Sequence, residues 1–253
     1  MRHELDLWGN AIDSLCEGLR RYRDGREEDP RFYKFAVLHF AHFAELYFKH
    51  AVAKEHPLLI WRNPSSKSLE GTRTIGLKEA FAVLSNAGTP LEPDLHRDLE
   101  WLRTLRNDIE HYKFTMDIRQ VRATLGRVLR ATSDFGEGTG LDDLRGLVGY
   151  ESRDTYDTLL DEYRDRLANA QADAANDSGG LGATVCYSCG ESKVAAERAE
   201  AVHCHFCDED EPRHECVICS ESFRESEMTP WNEDHPPNVD FVCDSCFDRA
   251  LGR

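Results

Sequence analysis

The sequence predicts a mainly α-helical protein, in which an antiparallel bundle of four or five helices precedes a small cysteine-rich module. Apolar residues recur every three or four positions through most of the first 135 residues, as they do in amphipathic helices. Eight of the nine cysteines lie in the last quarter of the chain, in four C-x-x-C pairs. With 253 residues, 40% of them hydrophobic, the chain can bury one full-sized core and add one or two small modules.

The first two predicted helices are delimited by turn-forming residues. Residues 5–22 carry apolar side chains at helical spacing and are followed by Asp24-Gly25, which ends the helix. Residues 31–54 predict a longer helix that ends before Pro57, because proline lacks the N–H that a helix interior needs. This second helix is the most apolar, so we expect it to be the most buried.

The rest of the bundle is predicted from shorter patterns. Residues 61–75 indicate a loop, and residues 77–85 a short helix. Helical spacing returns over residues 93–131. Asn107 and Asp108 favour a helix N-terminus, so this last helix is expected to bend or break near residues 106–108.

The segment that follows is predicted to be a linker. Its glycine-rich run, residues 135–140, has neither the lysine nor the preceding strand of a phosphate-binding loop. Residues 154–175 repeat apolar side chains alternately four and three apart, a heptad-like helix that either docks on the bundle or pairs with a second copy. Residues 168–182 read as a flexible hinge. The predicted domains are the bundle over residues 1–135, the linker over 136–182 and the cysteine-rich module over 183–253.

The paired cysteines predict two structural zinc sites. A two-residue gap lets one tight turn aim both sulfurs at a single ion, and two such turns complete a closed tetrahedral shell. The alternative is a disulfide framework, but no apolar export segment follows Met1, so we expect a soluble, cytoplasmic chain with reduced thiols. The predicted ligands of two zinc ions are Cys186, Cys189, Cys204, Cys207, Cys216, Cys219, Cys243 and Cys246.

Two pairings of these cysteines are conceivable. Sequential pairing, first with second and third with fourth, gives two ribbon-like sites and is preferred. A cross-brace would resemble the RING and FYVE families, but the eight residues between Cys207 and Cys216 exceed the RING spacing. Four nearby histidines could also bind zinc, but eight cysteines already complete two four-ligand sites without them. They are His203, His205, His214 and His235.

Charge is distributed unevenly along the chain, whose formal net charge is −16. Residues 1–135 hold 21 Lys and Arg against 20 Asp and Glu, whereas residues 136–253 hold 10 against 27. The acidic half has no basic stripe that could neutralise phosphates, so we expect it to support structure or bind a protein. The longest apolar stretch, residues 32–48, is interrupted by charged side chains, and no membrane association is expected.

One motif in the bundle resembles a known family. In LRNDIEHY, residues 105–112, an arginine and a histidine are separated by four residues, late in a helical bundle. This resembles the R-x(4–6)-H signature of the HEPN superfamily, as does the long second helix with Glu45 and Lys49. The resemblance covers about residues 5–135. Tyr112 follows His111 directly, whereas some related nucleases have H-x-Y.

The resemblance implies a fold, an assembly and an activity. In HEPN ribonucleases, two bundles pair so that the arginines and histidines of both copies face one cleft, and RNA is cut without metal by its own 2′-hydroxyl. It therefore implies that Arg106 and His111 form a catalytic pair supported by Asn107, in a homodimer that acts on RNA. The implied setting is stress response, toxin–antitoxin activity or anti-phage defence, with the acidic zinc tail binding a partner or restraining activity.

The alternative to a nuclease is a non-catalytic adaptor protein. In it, the RNDIEHY segment supports dimerisation and the zinc tail recruits a protein, so that the chain is an adaptor. No motif of a metalloprotease, a P-loop enzyme or a zinc deaminase is present in the sequence.

The chemistry of the motif depends on where the helix begins. Histidine transfers protons near neutral pH, and arginine stabilises charge that builds on a phosphoryl oxygen. Residues five apart on a helix point about 140° apart, so Arg106 and His111 converge only if Arg106 lies at or before the first turn. Otherwise Arg106 shares a face with Glu110 as an ordinary ion pair. Glu45, on the most buried helix, needs either Arg106 or Lys49 as its partner.

Overall fold

The computed structural model describes residues 6–65, 68–69, 72–89, 91, 93–111, 117–141, 143–179, 182–231 and 239–250. Most of them are helical, and a small module with strands and paired cysteines follows, which confirms the predicted fold class. The helices are α1 (Leu7–Glu27), α2 (Phe32–Glu55), α3 (Leu77–Asn86), α4 (Pro93–His111), α5 (Ile118–Thr139), α6 (Leu144–Leu147), α7 (Tyr150–Asp177) and α8 (Asp244–Ala250). None of the helices in these ranges is long and apolar enough to cross a membrane.

The chain divides into two compact units, Met1–Arg164 and Asp165–Arg253. In the first, α2 lies at the centre: α1 packs along it, and α3, α4 and α5 also contact it. More residues of α2 are buried than of α1, α3 or α5, as its apolar sequence predicts. Its rings form one aromatic core, in which Phe48 contacts Phe81 of α3 at 4.7 Å and Phe135 of α5 at 5.2 Å between ring centroids.

The expected break near residues 106–108 is wrong, because α4 is continuous from Pro93 to His111. Its apolar residues Leu99, Leu102, Leu105 and Ile109 keep helical spacing through the segment and are buried in the core. Burial of that whole face outweighs the capping preference of two polar residues, which amounts to about 1 kcal/mol each. The next helix, α5, is capped instead by Asp117, whose carboxylate accepts hydrogen bonds from the N–H groups of residues 119 and 120.

Residues 135–140 are not a linker but the end of α5. Phe135 is buried in the core, and Gly140 caps the helix with a left-handed backbone (φ 70°), a conformation that glycine adopts without a steric penalty. Leu144, Val148 and Leu159 join the same core, so the bundle extends well beyond residue 135.

The heptad-like segment lies within the long helix α7. Of the two alternatives, docking within the chain accounts for its first half, because Tyr156 is buried and its hydroxyl lies 2.6 Å from Ser133 Oγ on α5. Tyr163 packs against Gly126 of α5. The expected hinge over residues 168–182 is helical as far as Asp177, since α7 continues through its alanine-rich end.

The second unit holds two small antiparallel sheets. The strands are β1 (Ala195–Glu197), β2 (Ala201–Cys204), β3 (Asp210–Glu215), β4 (Ser222–Arg224), β5 (Met228–Pro230) and β6 (Phe241–Cys243). A four-stranded sheet has the order β1-β2-β3-β4, and β5 pairs with β6. Glu197 of β1 accepts hydrogen bonds from Arg213 of β3 and Arg224 of β4, and so ties three strands together.

Candidate metal centres and the Arg106 cleft

The first cysteine cluster brings together the two pairs on either side of β1 and β2. Cys186 and Cys207 Sγ lie 3.7 Å apart, as do Cys189 and Cys204 Sγ. Four sulfurs at about 2.3 Å from a tetrahedral zinc ion would be about 3.8 Å from one another. The cluster therefore has the spacing of a closed four-thiolate site that could hold one metal ion.

The second cluster gathers Cys216, Cys219, Cys243 and Cys246, with 4.0 Å between the sulfurs of Cys219 and Cys243. Three of these residues are buried, but Cys219 is exposed. Burial raises the pKa of the Cys216 thiol, yet hydrogen bonds, chiefly from backbone amides, outweigh this effect and bring the pKa to about 6. A thiolate, the form that binds metal, is therefore favoured at this position.

Local backbone geometry explains how each turn presents two sulfurs. In three of the four pairs, the residue after the second cysteine has a left-handed backbone, with φ between 60° and 73°. Its N–H then folds back onto the carbonyl of the first cysteine and closes a tight turn. The bonds are Gly190 to Cys186 (2.8 Å), Asp208 to Cys204 (2.9 Å) and Ser220 to Cys216 (2.8 Å).

The clusters join the pairs in sequential order, as preferred from the sequence, and not in a cross-brace. The described spare histidines face carboxylates and belong to neither cluster. His203 Nδ1 lies 2.8 Å from Asp210, and His214 Nε2 lies 2.9 Å from Glu225. His205 Nε2 lies 3.2 Å from Asp177. His235 is outside the described residues.

In the bundle, Arg106 lies in a cleft of about 220 Å³ between α2 and α4. Glu45 and Asn107 also line it, beside the apolar side chains of Leu99 and Leu102. Arg106 Nη1 is 3.5 Å from Glu45 Oε2, and Arg106 Nε is 3.3 Å from Glu110 Oε1. The guanidinium is thus held between two carboxylates at the wall of the cleft.

Glu45 has both of the partners that the sequence offered. Its Oε1 lies 2.6 Å from Lys49 Nζ, and its Oε2 contacts Arg106. Lys49 is buried and also donates to Thr74 Oγ1 at 3.1 Å. Thr74 has no sequence signal that would have identified it, because it is brought to Lys49 by the loop that follows α2.

His111 ends α4 and points away from the cleft. Its side chain is 77% exposed, with Nε2 4.0 Å from Glu110 Oε2. Since α4 is continuous, Arg106 and His111 lie five residues apart on one helix and diverge by about 140°. A single chain therefore does not bring the two side chains together. Tyr112 lies outside the described residues.

A second histidine near this cleft was not predicted as a site residue. His42 Nδ1 lies 3.0 Å from Ser14 Oγ on α1. Burial lowers the pKa of His42, and the positive charges of Arg106 and Lys49 act in the same direction, against Glu45. His42 is therefore a neutral imidazole that packs between α1 and α2.

The chain matches no protein-family model, no curated protein and no solved structure. It is a mostly helical protein whose C-terminal module, with two four-cysteine clusters, is compatible with zinc ribbons. Function therefore has to be inferred from the residues and their geometry.

Proposed function

We propose that the chain is a HEPN-like, metal-independent endoribonuclease whose active site forms across a homodimer. One observation carries the proposal: Arg106 and Asn107 line a cleft, while His111 on the same helix is exposed and does not line that cleft. Two copies related by a two-fold axis can place the arginine of one beside the histidine of the other. The divergence of the two side chains on α4 is then the geometry that such a shared site requires.

The residues suit this chemistry. The 2′-oxygen of the RNA bonds to phosphorus while the bond to the 5′-oxygen breaks, so the products carry a 2′,3′-cyclic phosphate and a 5′-hydroxyl. His111 takes the proton from the 2′-hydroxyl, and the imidazolium that forms gives a proton to the 5′-oxygen as its bond to phosphorus breaks. Arg106, oriented by Glu45 and Glu110, stabilises the charge on the phosphoryl oxygens.

Mixed dimers provide the sharpest test. Each single variant, Arg106→Ala or His111→Ala, should cut single-stranded RNA at least about 100-fold more slowly than wild type, with or without EDTA. A mixed dimer purified through two tags, one chain carrying each variant, should recover about half of the activity, because one of its two shared sites is intact. His96→Ala, an exposed histidine on the same helix, is the control and should be unchanged.

Three results would contradict the nuclease. The first is a full-length chain that is monomeric at high concentration. The second is wild-type protein that cleaves none of a panel of RNAs. The third is an Arg106→Ala or His111→Ala variant that is as active as wild type.

The second candidate is an adaptor, and one observation favours it. Arg106 is already held by Glu45 and Glu110, as an ordinary structural ion pair would be. In this case, Arg106→Ala would lower stability or dimer affinity without affecting any RNA cleavage.

For the C-terminal module, we propose two structural zinc ions, because four thiolates at tetrahedral spacing suit zinc. A closed shell leaves no position for a catalytic water, so the module would bind a partner or restrain the nuclease. We further propose that the chain acts in the cytoplasm, where thiols stay reduced, in stress response, toxin–antitoxin activity or anti-phage defence.

A further inference from the structure

A groove in the C-terminal unit lies beside the first cysteine cluster. Its volume is about 240 Å³, smaller than the roughly 300–1,000 Å³ of a typical small-molecule pocket. Ala195 and Val202 form its buried floor, and the exposed side chains of Pro212 and Tyr187, the latter 68% exposed, provide apolar surface at its side. This size and lining suit one long side chain of a larger partner better than a separate small molecule.

Carboxylates surround the groove. Glu209, Asp210, Glu211 and Glu225 line it, and no lysine or arginine is among its described lining residues. Internal contacts hold three of these side chains in place: Asp210 and Glu225 face histidines, and Glu211 Oε1 accepts the N–H of Ser226 at 3.1 Å. Because a carboxylate has about four acceptor positions, each can still bind a donor from outside.

The arrangement does not suit a metal ion or RNA. Within the described residues, only the two cysteine clusters bring three or more possible ligand atoms within 4.8 Å of one another, so the groove carboxylates do not converge on one point. Phosphates would be repelled by four negative charges. Residues 165–253 hold 7 Lys and Arg against 19 Asp and Glu, so the surrounding field also favours a cation.

We propose that this groove binds a lysine- or arginine-rich segment of a partner protein. The aliphatic stem of one basic side chain lies against Pro212, above the floor that Ala195 and Val202 form, where it is shielded from water. Its charged end is held by the carboxylate rim and stacks on the ring of Tyr187. The proposal deepens the partner-binding role of the zinc tail and does not depend on RNA cleavage.

The test uses the full chain and a fluorescein-labelled peptide of alternating arginine and serine, followed by fluorescence anisotropy. Glu209→Gln with Glu211→Gln should weaken binding at least tenfold. Glu200→Gln with Glu221→Gln removes the same charge from exposed positions outside the groove and should change it less than twofold. Tyr187→Ala should weaken binding severalfold and Tyr187→Phe should not, while His111→Ala leaves binding unchanged.

Several outcomes would overturn the proposal. Equal weakening by the two double variants would show attraction to net charge alone. Displacement of the peptide by magnesium at matched ionic strength would indicate a cation site, and tighter binding of an RNA oligonucleotide at the groove would indicate a nucleic-acid surface. Metal content, measured for every variant, confirms that the module remains folded.

Discussion

Asp98 and Arg127 form a two-point ion pair inside the bundle. The Nε and Nη2 atoms of Arg127 each donate to a different carboxylate oxygen of Asp98, and the two side chains are 8% and 1% exposed. The pair joins α4 to α5 and so holds in place the helix that carries Arg106 and His111. With both charges out of water, their mutual attraction offsets part of the cost of removing each from water.

Breaking this pair should be costly. Asp98→Ala removes the carboxylate that pairs with the buried guanidinium of Arg127, so we expect the free energy of unfolding to fall by about 3–5 kcal/mol in urea titrations. The double variant Asp98→Leu with Arg127→Met should regain most of that loss. Asp157→Ala provides the comparison, because Asp157 makes the same two-point contact with Arg145 at an exposed site and should matter much less. If Asp98→Ala and Asp157→Ala lower the free energy of unfolding equally, the buried ion pair contributes no more than the exposed one.

Close packing of α5 against α7 gives a second prediction. A Cβ at Gly126 would lie 2.7 Å from Tyr163 Cβ and 3.0 Å from the Leu159 carbonyl oxygen, so Gly126→Ala forces the helices apart. We expect it to destabilise the fold by about 1–3 kcal/mol. Gly138→Ala, in the same helix with no atom within 4 Å, should stabilise it by up to about 1 kcal/mol. If the unfolding temperatures of Gly126→Ala and Gly138→Ala both shift in the same direction, the close packing at Gly126 is contradicted.

His42 predicts a dependence of stability on pH. Burial holds its pKa below that of the unfolded chain, which is about 6.5, so the unfolded state binds more protons in acid. The stability contributed by the neutral imidazole is present above pH 6.5 and declines as the pH falls through that value. His42→Gln should therefore lose less stability than wild type between pH 7.5 and 5.5, as measured by urea unfolding. Parallel pH profiles would contradict a half-buried, neutral His42.

Metal content tests the cysteine clusters. We expect two zinc ions per chain by native mass spectrometry, and unfolding of the C-terminal unit when a strong chelator removes them. Because Cys219 is exposed and the ligands of the first cluster are not, thiol-modifying reagents should release the second ion first. Cys243→Ser should retain one ion. Thiols found as disulfides without metal would contradict both sites.

Local patterns in the sequence predict the structural features that depend on residues close together in the chain. The spacing of Cys186 and Cys189 determines a turn, and the apolar repeat of α2 determines a buried face, so both could be read directly. The sequence predicts a break at residues 106–108 that the structure does not have. The capping preference of Asn107 is a small local energy, whereas the burial of Leu102, Leu105 and Ile109 depends on the whole bundle.

Contacts between residues that are distant in the sequence cannot be predicted from such local patterns. Asp98 and Arg127 are 29 residues apart on different helices, and nothing in their immediate sequence marks either as buried. The glycine-rich run at residues 135–140 predicts a linker, because composition alone cannot distinguish the end of a helix from a flexible segment. The place of Arg106 between Glu45 and Glu110 depends on the continuity of α4, which the local sequence does not specify.

The left-handed residues Gly190, Asp208 and Ser220 extend the cysteine motif to a fifth position. In each of those turns the chain tolerates only side chains that accept positive φ, with glycine the least strained. Searches of genome sequences could use this constraint: a C-x-x-C pair followed by Gly, Asn, Asp or Ser would be scored as a metal-binding turn, and one followed by a β-branched residue would not. Phe247, after the fourth pair, shows the complementary case: α8 begins at Asp244, directly after the first cysteine, so Phe247 lies within the helix and needs no positive φ.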